Sequence, residues 1–194
     1  MKPTIDRKYL NEGEEQTLLR LARRVLTEFV KNGTDEFPDT VLGEFELTPA
    51  LRQELGVFVT LTEGEALRGC IGYIVGLMPL YQGVISNTQN AAAHDPRFMP
   101  VRPEELAAIQ MEISVMPPLQ KVKGPEEIQV GRDGVVLKNR FNQGVFLPQV
   151  PLEQGWDKTT YLEQLGFKAG LDQDAYQDPE TELFRFEAQV FGEE

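Results

Sequence analysis

The chain has 194 residues, 41% of them hydrophobic, and its 31 acidic and 19 basic residues give a net charge of −12. This length and apolar content predict a globular protein with a substantial core. The negative charge repels a phosphate backbone, so we expect no nucleic-acid partner.

The composition also bears on cellular location. A single cysteine cannot form an intrachain disulfide, and the first residues lack the apolar core of a signal peptide. The longest apolar run, residues 70–78, is interrupted by two glycines and is far shorter than the roughly 20 residues that span a bilayer. We therefore expect an acidic cytoplasmic protein that does not enter a membrane.

The first predicted element is a long amphipathic helix. Apolar residues recur at helical spacing between Leu18 and Val30. Asn11 and Glu14 have the spacing of a capping box, and Gly33 can end the helix. The basic residues of its other side are interpreted as a solvated face: Arg20, Arg23 and Arg24.

A connector, a hairpin and a second helix follow. Thr48-Pro49 predicts a short helix over residues 50–55. Residues 57–61 and 66–75 are predicted to pair as a hairpin, with either Glu63-Gly64 or Gly64-Glu65 at its tip. Pro79 is expected to be the first residue of a helix that ends near residue 93.

The second half of the chain is predicted to be rich in strands. A helical turn at 103–106 precedes a strand over 109–116. A meander over 128–147 would turn at Asp133-Gly134 and again at 142–144, and Asp157 would cap a helix over 159–169. A single half-buried strand over 184–190 ends the pattern. Irregular alternation and frequent hairpins predict an α+β fold, with a mainly antiparallel sheet flanked by helices.

The stretch Leu67-Arg68-Gly69-Cys70-Ile71-Gly72 carries the single cysteine. Glycines inside a strand suggest that another backbone or a ligand approaches closely, which makes Gly69 and Gly72 candidate site residues. Period-two alternation puts Arg68 on the face of Cys70, where a guanidinium would favour a nucleophilic thiolate. Alternatively, Cys70 is a small buried core residue.

These six residues resemble the signature of the AMMECR family. Other segments occur in the family's order: 95–98, 111–115, 146–151, 153–157 and 185–191. The resemblance implies a larger and a smaller lobe with a cleft between them. We predict an N-terminal extension over residues 1–13 and one domain over residues 14–191.

Two functional hypotheses are open. In the first, the chain resembles the A component of the AmmeMemoRadiSam system. It would act with a Memo-like protein and a radical S-adenosylmethionine enzyme, and would bind a small ligand or a partner at the cleft around Leu67–Gly72. We expect no cofactor here, because one cysteine cannot hold an iron–sulfur cluster. In the second, the chain is a stand-alone enzyme that uses Cys70 as a nucleophile.

Two charged residues are candidates for binding at the same place. Asp95-Pro96 restrains the chain before Arg97, whose planar donor fork suits a carboxylate or a phosphate. The alternative is a salt bridge from Arg97 to Asp95 or Glu112. Glu112 shares a strand face with Ser114 and either points toward the arginines or faces water.

A proline-bracketed loop supplies three more candidates: Gln149, Glu153 and Trp156. A stiff loop holds side chains in fixed positions, which suits a binding cleft. Alternatively, Trp156 is a hydrophobic staple before the Asp157 cap.

Two further groups of residues give weaker indications of a catalytic or metal site. His94 is the single histidine, but it falls at a helix end where a cation is favoured anyway, so a pairing with Cys70 rests on composition alone. One histidine and one cysteine cannot make an ordinary zinc site. The aspartates at 172, 174 and 178 lack the glycine of a calcium loop. We therefore expect no metal site.

Overall fold

A computed structural model describes residues 9–33 and 39–193, and the fold consists of two compact units. The first unit contains the described residues up to Met116 together with residues 189–193, and the second contains Pro117–Ala188. In the chain, the second unit is therefore inserted before the last strand of the first.

The helices are α1 (Glu12–Asn32), α2 (Asp39–Leu42), α3 (Leu80–Ala93), α4 (Val150–Glu153) and α5 (Lys158–Lys168). The strands are β1 (Gly56–Glu63), β2 (Ala66–Tyr73), β3 (Ile109–Met116), β4 (Gln120–Lys121), β5 (Gly134–Asn139), β6 (Asn142–Phe146), β7 (Glu182–Phe186) and β8 (Gln189–Gly192). Among the helices in the described ranges, none is long and apolar enough to cross a membrane.

The first unit is built on an antiparallel sheet with strand order β2-β1-β3-β8. Alternate side chains of the two central strands, such as Val59 and Ile113, are fully buried in one core with leucines of α1 and with Leu80 and Val84 of α3. Helices α1 and α3 therefore cover this face of the sheet. The opposite face carries the polar alternation that includes Thr60 and Glu112.

The local signals at α1 are confirmed. The Asn11 side chain accepts a hydrogen bond from the backbone of Glu14 and the Glu14 side chain accepts one from the backbone of Asn11, which is the predicted capping box. Gly33 ends the helix in the left-handed conformation, with φ of 64°. The hairpin turns at Gly64-Glu65, since Glu63 pairs with Ala66.

The prediction of a helix over residues 50–55 is wrong. This stretch forms successive turns, in which the N–H of Arg52 donates to Pro49 and that of Gln53 donates to Ala50. The carbonyls of Leu51 and Gln53 accept hydrogen bonds from the first turn of α3, 3.1 Å from Tyr81 N and 2.8 Å from Leu80 N. In a helix over 50–55 the carbonyl of Leu51 would instead accept the N–H of Leu55. Pro79 is the N-cap of α3 rather than its first residue.

The second unit is a smaller sheet with strand order β4-β7-β5-β6 and a helix packed on it. Buried Tyr161, Leu162 and Leu165 of α5 form its core with Val135 and Leu137 of β5. Helix α5 begins at its predicted cap, where the Asp157 carboxylate accepts a hydrogen bond from Thr160 N at 2.8 Å. The helix covers Lys158–Lys168, one residue earlier at each end than the predicted range of 159–169.

Two strand predictions for the second half are wrong. Residues 142–144 lie inside β6 rather than in a turn, and the chain turns at Arg140, whose φ is 52°. Gly144 serves packing instead, because a Cβ there would lie 2.8 Å from the carbonyl oxygen of Leu165. The single final strand is two strands, β7 and β8, which belong to different sheets.

The predicted α+β class is confirmed, with antiparallel pairing in both sheets. The antiparallel strands form two sheets, one in each unit. The cleft between a larger and a smaller lobe stays a prediction.

Candidate functional site

Strand β2 lies at the edge of the first sheet, and its outer side is covered by the edge segment, residues 95–105. The backbone N–H of Cys70 donates to Asp95 Oδ2 at 2.9 Å, and the carbonyl oxygen of Cys70 accepts from Arg97 Nη2 at 3.3 Å. Both backbone groups of Cys70 therefore point away from β1. Unpaired edge groups invite association with other strands, and here Asp95 and Arg97 occupy them.

Asp95 is the buried anchor of this arrangement. The residue is 3% exposed, and besides Cys70 N–H its carboxylate accepts hydrogen bonds from Arg97 N (3.1 Å), Nε (2.9 Å) and Nη2 (2.7 Å). The hydrogen bonds from the Arg97 guanidinium hold the pKa of Asp95 well below its usual range, although burial acts in the opposite direction. The salt-bridge alternative for Arg97 is thus present, with Asp95 as the partner.

The guanidinium of Arg97 is restrained by hydrogen bonds on one side and is exposed to solvent on the other. Its side chain is 55% exposed although its guanidinium contacts both Asp95 and Cys70. The guanidinium also lies over the ring of Phe98, with 5.4 Å between Cζ and the ring centroid. A guanidinium restrained in this way loses little side-chain entropy when it binds an anion.

The second arginine of the signature is engaged elsewhere. Leu61 pairs with Gly69 but Thr62 pairs with Leu67, so Arg68 is the extra residue of a β-bulge. Its Nε lies 2.7 Å from Glu105 Oε1, and its Nη2 lies 3.2 Å from Glu105 Oε2. This paired guanidinium lowers the pKa of Glu105 to about 2. The bulge breaks the predicted alternation at Arg68, and the arginine that contacts Cys70 is Arg97.

The thiol of Cys70 faces a hydroxyl. Cys70 is half-buried, and its Sγ accepts a hydrogen bond from Thr60 Oγ1 at 3.3 Å. Thr60 pairs with Cys70 on one side and with Glu112 on the other, so the three side chains share one face of the sheet. His94 is exposed at the end of α3, where its Nδ1 lies 3.1 Å from Asn90 Oδ1.

Both signature glycines are sites of close approach, as the sequence predicts. A Cβ at Gly69 would lie 2.2 Å from the carbonyl oxygen of Ala91 in α3. A Cβ at Gly72 would lie 2.4 Å from Phe58 Cγ and 2.4 Å from the carbonyl oxygen of Val57. The neighbours are therefore parts of the protein itself, and Gly69 lets α3 lie directly on β2.

The remaining candidates belong to the second unit. Gln149 is half-buried at the N-cap of α4, and Glu153 is exposed. Trp156 packs edge-on against Phe146 with ring centroids 5.5 Å apart, and Phe146 also contacts Tyr161 at 6.0 Å. Trp156 thus joins the core of this unit next to the first turns of α5, which agrees with the staple alternative.

Two residues of this site were not found from the sequence. Thr60 carried no signal, because the register of the hairpin was open. Glu105 lies in a short 3₁₀ turn, and nothing in its local pattern points to Arg68. Within residues 9–33 and 39–193, no group of three or more His, Cys, Asp or Glu side chains could hold a metal ion.

These observations define a class: an α+β protein whose sheet edge is held by a buried aspartate and a half-exposed arginine that flank a cysteine. The chain belongs to the AMMECR1 family, which it matches over residues 19–191.

The proteins that are similar to this chain include the following three. A protein of Thermococcus gammatolerans is 43% identical over 187 residues, covering 91% of this chain and 89% of the relative. A protein of Methanothermobacter thermautotrophicus is 40% identical over 192 residues, covering 95% and 97%. The crystal structure of the uncharacterized protein PH0010 from Pyrococcus horikoshii has a TM-score of 0.86 with 36% identity, covering 96% of this chain and 95% of that chain.

Proposed function

We propose that this protein is a binding component that acts with other proteins, and that the outer edge of β2 is its binding surface. The group bound there is anionic, either on a small ligand or on a partner protein. Arg97 is the anchor for that group, and the observation that carries the proposal is its restrained and half-exposed guanidinium.

The chemistry of Arg97 supports an anionic ligand. Asp95 accepts hydrogen bonds from Nε and Nη2, and the carbonyl oxygen of Cys70 accepts one from Nη2 as well. A guanidinium has five N–H donors in a fixed fork, so the two donors of Nη1 lie outside these contacts. A second carboxylate or a phosphate can therefore be bound without breaking the existing pair. Asp95 is buried and Arg97 is exposed. Asp95 therefore holds the guanidinium of Arg97 in place while the outer side of the guanidinium faces solvent.

The partners follow from the family resemblance. We propose that the chain acts as the A component of an AmmeMemoRadiSam system, with a Memo-like protein and a radical S-adenosylmethionine enzyme. In that arrangement the redox chemistry belongs to the partner that holds the iron–sulfur cluster, and this chain contributes recognition.

The alternative, a stand-alone enzyme with Cys70 as its nucleophile, has less support. A nucleophilic cysteine needs an adjacent base, and the group that hydrogen-bonds to Cys70 Sγ is the hydroxyl of Thr60. The imidazole of His94 contacts Asn90. Arg97 is near Cys70, but its contact is to the backbone carbonyl oxygen.

The test is direct binding between purified proteins. The Memo-like protein and the radical S-adenosylmethionine enzyme of the same host are immobilised in turn, and this chain is titrated as wild type, Arg97→Gln and Arg102→Gln. Arg102 is the matched control, since it lies in the same edge segment with its side chain 76% exposed.

We expect saturable binding by the wild type and by Arg102→Gln, and about tenfold weaker binding by Arg97→Gln, which is the effect of losing one charge-assisted hydrogen bond. Wild-type protein that binds neither partner contradicts the proposed assembly. Equal binding by Arg97→Gln, with its fold intact by circular dichroism, contradicts the role of Arg97.

A further inference from the structure

A cavity of about 530 Å³ lies on the first unit, along α1. The helix lines it with Leu19, Arg20, Arg23, Arg24 and Thr27, and the end of the chain lines it with Glu193. The volume is that of a site for a small metabolite. The sequence pattern alone had indicated only a solvated helix face here.

Arg23 forms the fixed wall of this cavity. Its guanidinium holds the Glu193 carboxylate through both Nε and Nη2, and it also donates to the carbonyl oxygens of Leu106 (3.2 Å) and Ile109 (2.7 Å). Glu193 is itself tied to β3, because it accepts a hydrogen bond from Met111 N at 3.0 Å. All of these contacts serve the fold, so Arg23 has little capacity left for a ligand.

Arg20 and Arg24 are the two arginines of the cavity whose present contacts a ligand can replace. The side-chain contact of Arg20 is a 3.5 Å hydrogen bond to Thr17 Oγ1, at the outer limit of such a bond. Arg24 pairs with Glu28 at 3.1 Å and with Glu44 at 3.7 Å, and all three side chains are more than a third exposed. Exposed pairs of this kind contribute little and give way to a better partner.

The lining of the cavity is rich in arginine: it contains three arginines and one glutamate, whereas the chain carries −12. Glu28 and Glu44 pair with Arg24 and offset part of this local charge, but neither of them lines the cavity. The charged groups that face a ligand in the cavity are therefore mainly cationic. Arg20 and Arg24 are four residues apart on one helix, so both guanidinium groups reach the same volume.

We propose that this α1 cavity binds a small organic molecule through a phosphate monoester group. Two guanidinium forks facing one cavity match a group with about two negative charges and three acceptor oxygens, whereas a carboxylate needs only one fork. The side chain of Leu19 provides apolar contact for the organic part of the ligand. This site is separate from the edge of β2, so either proposal can fail without the other.

Phenyl phosphate is the probe, and benzoate is its comparison with one negative charge on a similar ring. Both are titrated into the full chain by calorimetry, for the wild type, Arg20→Gln, Arg24→Gln and the control Arg102→Gln. We expect one phenyl phosphate per chain, at least about tenfold tighter than benzoate, and about tenfold weaker binding in each of the two cavity variants.

Binding of phenyl phosphate should also weaken as salt is added, because the arginines are exposed. Arg102→Gln should bind as the wild type does. The proposal is overturned if phenyl phosphate shows no saturable binding, or if benzoate binds equally well. It is also overturned if Arg20→Gln and Arg24→Gln keep the wild-type affinity while circular dichroism shows that both variants are folded.

Discussion

Replacing Asp95 by asparagine should destabilise the first unit. Each carboxylate oxygen of Asp95 accepts two hydrogen bonds: Oδ1 accepts from Arg97 N and Nε, and Oδ2 accepts from Cys70 N and Arg97 Nη2. In asparagine one oxygen becomes an NH₂ group. In either orientation of the amide, two N–H donors of Cys70 or Arg97 then face the NH₂ group, which is itself a donor.

The expected cost follows from which donors lose their acceptor. The Arg97 side chain is 55% exposed, so its freed donors are taken up by water and contribute little. A backbone N–H that is left without an acceptor costs about 1–3 kcal/mol, and the loss of the charge on the acceptor weakens the remaining bonds. Together these effects predict a loss of about 2–4 kcal/mol in the free energy of unfolding.

The assay has to separate the two units. Trp156 is the single tryptophan and lies in the second unit, so its fluorescence reports on that unit. Far-ultraviolet circular dichroism reports mainly on the first unit, where α1 and α3 have 21 and 14 residues. Urea unfolding followed by both signals should show the loss in the dichroism. Asp157→Asn is the matched control and should change stability by less than about 0.5 kcal/mol, since asparagine caps helices about as well as aspartate.

The pH dependence supplies a second check. The pKa of Asp95 is lower in the folded protein than the value of about 4 expected in the unfolded chain. The stability that this carboxylate contributes is therefore complete above pH 4 and is lost as the pH falls below it. The free energies of unfolding of the wild type and of Asp95→Asn should therefore become similar in acid. Equal stability of the two proteins at neutral pH would refute the reasoning.

The remaining predictions concern neighbouring residues. Gly69→Ala should cost about 1–3 kcal/mol through overpacking, because its Cβ would lie 2.2 Å from Ala91 O. Gly13→Ala is the control, because a Cβ there would lie 3.3 Å from its nearest neighbour. Equal unfolding midpoints for Gly69→Ala and the wild type would contradict the packing argument. Glu105→Gln should remove a stability contribution of about 1–3 kcal/mol that the wild type loses between about pH 4.5 and pH 2. A pH profile of unfolding unchanged by this variant would exclude that contribution. Iodoacetamide should alkylate half-buried Cys70 more slowly in the native protein than in urea; native reaction as fast as that of the unfolded chain would favour the nucleophile hypothesis.

Features whose cause lies within a few residues were predictable from the sequence. Asn11 and Glu14 form the capping box that their spacing predicts, and Asp157 caps α5. The strand over 109–116 has its predicted bounds. In each case the partners are close in the sequence, or the hydrophobic pattern is long enough to define the element without tertiary contacts.

Features set by distant partners were not predictable. Gly144 has the composition of a turn, yet it faces the carbonyl of Leu165. Arg68 follows the alternation of a regular strand, and only its register against β1 reveals the bulge that turns it toward Glu105. The cysteine and the arginine of the site were both identified, but the pair formed by Asp95 and Arg97 at the backbone of Cys70 depends on how the edge segment lies beside β2.

The insertion of the second unit has a consequence for biosynthesis. Val115 near the end of β3 pairs with Gln189 at the start of β8, so the two ends of the inserted segment leave and rejoin the first sheet at adjacent positions. During translation the whole inserted unit emerges from the ribosome before β8 does, and the first sheet is completed last. A chain arrested before Gln189 would carry an open β3 edge, the kind of template on which nascent chains aggregate. Because the ends of the insertion are adjacent, a short turn between β3 and β8 is sufficient to connect the first unit into one continuous polypeptide.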